Sequence, residues 1–272
     1  MTPQEQLSEL EKVNSQLRVI KTSCRRNFQD MVNLLTSVIS LSSHYLGGHL
    51  RRVAEMSKEL TAKMLPDGKE TSYAVYYAGL LHDLGLVGEN ETLITTPNEA
   101  LSPDQQKEYK KHPVRGENII STVYDFKKIA SFIRHHHEDF NGGGYPDGIS
   151  GQTIPLGARI IRIVSDFDNR LYKNGDSMVS AMENLQQLGG IYYDPEVLEQ
   201  FGLMLRSQGI TNTENTKSIR ELKEGLFLLD DIYLENGMLL IPKGVFLNTT
   251  KMNKIKSFSS LIQMEKKVKI RE

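Results

Sequence analysis

The chain has 272 residues, 39% apolar and 25% charged, enough for one sizeable core plus a small appendage. A formal net charge of -1 lacks the electrostatic footprint of a protein that binds DNA or RNA polymers or a membrane surface. The single cysteine, Cys24, excludes an intrachain disulfide, and with no long uncharged apolar run and a polar, acidic start a soluble cytoplasmic protein is expected.

Residues 4 to 45 contain neither Pro nor Gly and should form one long helix or two joined ones. A heptad reading puts Leu7, Leu10, Asn14, Leu17, Lys21, Cys24, Phe28, Met31, Leu35 and Val38 on one seam. Asn14 sits where a polar residue can fix the register of a homodimer. Lys21 in the seam favours the other reading, an amphipathic helix packed on its own domain. Gly47-Gly48 reads as a break, after which His49 opens a helix to about Met64 with Val53, Met56 and Leu60 inward. A helix is expected over roughly 72–84, its stripe of Ala74, Ala78 and Leu81 running on into His82 and Asp83. Adjacent helical residues point about 100° apart, so that pair can reach two sides of one centre.

Residues 87–102 read as a loop, and Ser102-Pro103-Asp104 as a helix start. Helices should then cover about 113–122 and 126–138, the second running into His135-His136-His137. Gly142, Gly143 and Gly144 give a backbone that can approach a ligand closely, and Pro146 stiffens its exit. A helix should start at Ile154-Pro155, with Ile160, Ile163, Val164, Phe167 and Leu171 as its apolar stripe. Asp166 flanks that stripe, where a carboxylate is costly unless paired or metal-bound. Helices over about 177–188 and 195–207 complete the helical part. A polar linker is expected at 211–216, then a strand over 226–234, a type I′ turn at Asn236-Gly237, a return strand over 238–241, a helix over 249–261 and a strand at 268–270. The expected division is an N-terminal helix at 1–45, a main domain at 46–209 and an α+β module at 217–272.

All seven histidines lie between residues 44 and 137. His49, His82, Asp83, His112, His136, His137 and Asp166 fall at the ends of, or along, short helices able to pack around one core. Nitrogen and carboxylate donors without thiolate suit Fe, Mn, Zn, Ni or Co. They are too many for one tetrahedral ion and suit two ions sharing a carboxylate and a water, a pair that can clamp an in-line displacement at phosphorus.

The sequence resembles the HD-GYP family of the HD superfamily of metal-dependent phosphohydrolases. The resemblance rests on H-L-R-R-V-A from His49, L-L-H-D-L-G from Leu80, H-P-V-R-G from His112, H-H-E-D-F-N-G-G-G-Y-P from His136, I-P-L-G-A-R-I-I-R-I from Ile154 and S-D from Ser165. It covers about residues 45 to 207. It implies a mainly all-α, HD-type helical bundle that holds iron or manganese and hydrolyses cyclic di-GMP or a related cyclic dinucleotide through a metal-bridging hydroxide. It implies His49, His82, Asp83, His112, His136, His137 and Asp166 as metal ligands, with Asp83 bridging and catalytic. Asn141, Gly144, Tyr145, Pro146 and Arg115 would face substrate, and the Gly-Tyr-Pro loop could also meet a protein partner.

The sequence departs from the family pattern at several places. Leu86 stands where the family has a phosphate-binding lysine, Gly175 where it often has an arginine, and Asn169 where a second Asp is usual. Tyr45 stands where trinuclear members carry a Glu, which implies two ions rather than three. The depleted cations leave two readings: a phosphodiesterase, or a metal-binding receptor or adaptor with little or no turnover.

Overall fold

The computed structural model describes residues 3–123, 126–207 and 214–271. It is the helical bundle with a small α+β appendage that the sequence implies. Helix α1 spans Pro3–Ser42 and α2 spans His44–Met64. The break falls earlier than the glycine pair suggested. Ser43 caps α2 by accepting from the Leu46 N–H at 3.3 Å, and both glycines lie inside the helix. A side chain at Gly47 would collide with Ser40, so this glycine lets α1 and α2 pack closely. The part of α1 that packs is Phe28, Val32 and Ile39, with Phe28 against the rings of Tyr77 and Phe126. Most of the heptad seam is exposed, including Leu7, Leu10, Leu17, Met31, Leu35 and Val38.

Helix α3, Lys69–Leu81, stops one residue before His82, and a 3-10 turn at Leu84–Leu86 follows Asp83. Gly85 packs so tightly on the backbone of His112 that no side chain fits, which brings the His82-Asp83 turn onto the start of the helix that His112 opens. The stretch expected as loop contains α4, Glu91–Thr95, because the Asn90 side chain caps it through the Thr92 N–H at 2.9 Å. Helix α5, Pro103–Tyr109, starts on a Ser102/Gln105 capping box. Then come α6 at His112–Ile120, α7 at Lys127–His135, α8 at Leu156–Tyr172, α9 at Met178–Gln187 and α10 at Pro195–Ser207. The inner faces of α2, α3, α7, α8 and α10 build one core around Val53, Leu81, Ile133, Ile160, Val164, Phe167 and Phe201. Leu46, Leu50, Leu86, Leu93, Leu101 and Tyr109 form a second apolar cluster beside it.

Strand β1, Glu214–Ser218, occupies part of the stretch expected as linker, whose 211–213 lie outside the described residues. It pairs antiparallel with β5, Lys267–Arg271, which also pairs with β2, Phe227–Leu228. The single strand expected over 226–234 is two, β2 and β3 (Ile232–Tyr233). Between them Asp230 and Asp231 accept from the backbone N–H groups of Lys269 (2.8 Å) and Lys243 (2.6 Å), which bends the chain. Strand β3 pairs with β4, Leu239–Ile241, and α11 covers Thr249–Ser257. The turn between β3 and β4 is not type I′, which needs positive φ at two residues. Only Gly237 has it (φ 82°), after a turn closed by the Gly237 N–H to Leu234 carbonyl bond at 2.9 Å. The module has its own core of Ile219, Leu228, Ile241, Ile255 and Ile270, while Phe227 reaches into the main core. No helix among the described residues is long and apolar enough to cross a membrane.

Candidate metal centre

The core positions two groups of donors around one carboxylate. His49 comes from the first turns of α2, and His82 and Asp83 from the exit of α3. His112 opens α6, and His136 and His137 follow α7. Asp83 Oδ2 lies 3.5 Å from His49 Nε2 and 3.4 Å from His82 Nε2. Its other oxygen, Oδ1, lies 3.1 Å from His112 Nε2 and 3.7 Å from His136 Nε2. The donor atoms of His49, His82 and Asp83 lie within 4.8 Å of one another, and so do those of Asp83, His112, His136 and His137. All six side chains are buried.

Hydrogen bonds on the far side of each ring fix which nitrogen faces inward. The Nδ1–H of His82 donates to the Gly79 carbonyl (2.9 Å), that of His112 to Tyr109 (2.7 Å) and that of His136 to Ile133 (2.6 Å). A carbonyl only accepts, so these Nδ1 atoms carry the proton and each Nε2 turns a bare lone pair inward. His49 Nδ1 donates to Asp168 Oδ2 at 2.7 Å with the same result. Inward nitrogens then crowd each other, His49 to His82 at 3.2 Å and His112 to His136 at 3.1 Å. Asp83 Oδ1 is buried with no hydrogen-bond partner. Facing lone pairs around an unpartnered carboxylate oxygen are relieved by cations, so the donor set fits divalent metal. Burial lowers the pKa of His82 to about 3 and pushes those of His136 and His137 down, so these rings stay neutral and able to coordinate.

His137 is held differently. Arg162 approaches its Nδ1 at 3.3 Å, and the Tyr145 ring stacks on it with centres 4.9 Å apart.

The structure does not bring Asp166 into either group. Its carboxylate pairs with Arg162 at 2.9 Å and accepts from the Tyr193 hydroxyl at 2.8 Å. The reason is helical phase: on α8 the inward positions are Ser165 and Asp168, and Asp166 is turned about 100° from Ser165. The Ser165 hydroxyl lies 3.3 Å from His49 Nε2 and 3.5 Å from His82 Nε2, so a short neutral group faces that half of the centre. Asp168, which sequence reading missed, orients His49 and binds Arg52 through both oxygens at 2.6 and 2.8 Å. Its i, i+3 spacing from Ser165 was the available signal.

The glycine loop is built around the second group. Gly144 lies against the backbone of His137 to Asp139 with no room for a side chain, and the Tyr145–Pro146 bond is cis. Asn141, expected to face substrate, is exposed and accepts from the Gly143 N–H at 2.9 Å, so it shapes the loop. Arg115 is not turned to the centre: it is committed to Glu89 at 2.6 Å and to Glu108. Leu86 is packed in the second apolar cluster, and Gly175 follows α8 with φ 76°. Beside His137 opens a cavity of about 180 Å³, walled among others by Tyr109, Arg162, Asp166, Asn169, Lys173 and Tyr192.

The HD domain family model matches residues 33–197. A cyclic di-GMP phosphodiesterase of Thermotoga maritima is 28% identical over 180 residues, 63% of this chain and 47% of that protein. The 3′3′-cGAMP-specific phosphodiesterase 3 of Vibrio cholerae is 28% identical over 170 residues, 61% of this chain and 36% of that protein. The chain thus spans less than half the length of these relatives. A solved HDG"Y"P protein of Bdellovibrio bacteriovorus has the same fold, with a TM-score of 0.53 at 21% identity over 58% of this chain and 51% of that one. With the match covering more than half of its length, this chain belongs to the HD domain family.

Proposed function

We propose that the chain is a metal-dependent phosphodiesterase that opens a cyclic dinucleotide, cyclic di-GMP or 3′3′-cGAMP, to its linear form. The observation that carries this reading is one buried carboxylate shared by two groups of inward-facing imidazoles next to an open cavity. His49, His82 and Asp83 would hold one ion, and Asp83, His112, His136 and His137 the other, with iron or manganese matching the donors. Bound there, such ions would supply Lewis acidity toward a phosphodiester and an activated water at neutral pH. The chain's own part is positional. The backbone carbonyls of Gly79, Tyr109 and Ile133 lock three ring orientations, and the apolar cores on either side keep bulk water away.

The test is incubation of iron- or manganese-reconstituted protein with cyclic di-GMP, 3′3′-cGAMP and cyclic di-AMP, with products separated by chromatography. At least one should become linear, and chelation should stop the reaction. Metal-loaded protein that converts none would overturn the enzyme reading. It would leave binding without turnover, the reading that Ser165 favours by facing His49 and His82 without a carboxylate.

The exposed seam of α1 is assigned to a parallel homodimer. Removing residues 1–24 keeps Phe28, Val32 and Ile39, which pack on the domain, and should turn a dimer into a monomer in light scattering. An unchanged mass would remove the seam's role in pairing.

A further inference from the structure

Lys173, directly after α8, is half-buried in the wall of the cavity beside His137. Its ammonium nitrogen lies 5.4 Å from the ring centre of Tyr45 and 5.6 Å from that of Tyr109. These two rings stand on the two halves of the candidate metal centre. Tyr45 is stacked on His49, with centres 6.1 Å apart, and Tyr109 meets His112 edge-on at 4.8 Å. The Tyr45 hydroxyl donates to Asn169 Oδ1 at 2.7 Å, which holds the ring beneath the lysine. Arg162, Asp166, Asn169 and Lys173 recur at i, i+4, i+7 and i+11, so α8 presents them to the cavity as one stripe.

The other cations that line this cavity are already neutralised. Arg162 pairs with Asp139 and Asp166, both at 2.9 Å, and Arg170 pairs with Asp176 at 3.2 Å. Among the described residues no carboxylate lies within ion-pairing distance of Lys173. Burial pulls its pKa below the ordinary lysine value, and Asp83, Asp166, Glu99 and Asp168 support its charge only from further away. Two aromatic faces partly offset the desolvation of an ammonium group, and among the described residues no protein group accepts from its three donors, which leaves them to solvent or to a ligand in the cavity. An anion in the cavity would satisfy them. A phosphodiester is the anion that the neighbouring donor set suits.

We propose that Lys173 is the phosphate-binding cation of this site, donating to a non-bridging oxygen of the cyclic dinucleotide's phosphodiester beside the metal centre. The assignment rests on the phosphodiesterase reading for the identity of the ligand. It replaces the charge missing at position 86, where Leu86 is packed among Leu46, Leu50 and Leu101.

The test compares Lys173→Met, Lys173→Gln and Lys173→Arg with the unaltered chain, all metal-loaded and full length. The readouts are metal content, thermal midpoint, Kd for cyclic di-GMP and 3′3′-cGAMP by calorimetry, and kcat/KM. Loss of one charge-assisted phosphate contact should raise Kd roughly tenfold to a hundredfold in the Met and Gln variants, with metal content intact. The Arg variant should keep most of the affinity, and the dependence of Kd on salt should flatten when the charge is lost. A Kd and kcat/KM within twofold of the unaltered chain in both neutral variants would overturn the assignment. Lys173-dependent binding without turnover would sustain it while the phosphodiesterase reading fails. Absence of binding to any cyclic dinucleotide by the unaltered chain would overturn both.

Discussion

Asp83→Ala should leave the purified protein with little metal and lower cyclic dinucleotide hydrolysis by more than about a hundredfold. Loss of partners that only orient ligands already costs ten- to a hundredfold in metal affinity or activity, and Asp83 is shared by both groups, with Oδ2 toward His49 and His82 and Oδ1 toward His112 and His136. Unfolding is separable from this effect. In the metal-free state Asp83 Oδ1 is a buried oxygen without a hydrogen bond. Its removal relieves a desolvated charge, so metal-free Asp83→Ala should melt no lower than the metal-free parent. Metal analysis, a hydrolysis assay and a thermal melt check all three points. An active, metal-loaded variant would show that the centre lies elsewhere.

Asp168→Ala should be the more destructive change to the fold. Asp168 is fully buried and accepts from Arg52 Nε and Nη2 and from His49 Nδ1. Burial works against its charge, but Arg52 first and then His49 hold its carboxyl below the usual range. Truncation leaves the Arg52 guanidinium buried without its carboxylate, over the face of Tyr172 at 3.8 Å. Breaking a buried pair from one side costs about 3–5 kcal/mol, readable as a lower denaturant midpoint. Metal affinity should fall as well, because His49 loses the bond that fixes its tautomer. Asp168→Asn keeps one acceptor and should lose less of both. A stability change below about 1 kcal/mol for Asp168→Ala would mean that Arg52 finds another partner.

The residue types at the centre were legible because their chemistry is rare in combination. Segregated histidines, a His-Asp pair at a helix exit and a glycine loop after a second His pair pointed to one place, and the structure brings them to one place. What stayed hidden depends on helical phase and on tertiary contact. Ser165, Asp166 and Asp168 lie within one turn of α8, and choosing among them requires knowing which way that turn faces the core. Asp166 carried the more conspicuous motif, yet it faces Arg162 and Tyr193. Gly47-Gly48 looked like a break because glycine is costly inside a helix. Contact with α1 and the Ser43 cap outweighed that propensity. Lys173 was unreadable as a site residue, since only folding sets it over Tyr45 and Tyr109, residues 128 and 64 positions away in sequence.

Anomalous diffraction at the iron or manganese edge, from crystals of anaerobically reconstituted protein, tests the central claim most directly. Two peaks per chain are expected on opposite oxygens of Asp83, one among His49 and His82 and the other among His112, His136 and His137. A single peak away from Asp83, a third peak beside Tyr45, or no peak in metal-loaded crystals would contradict it.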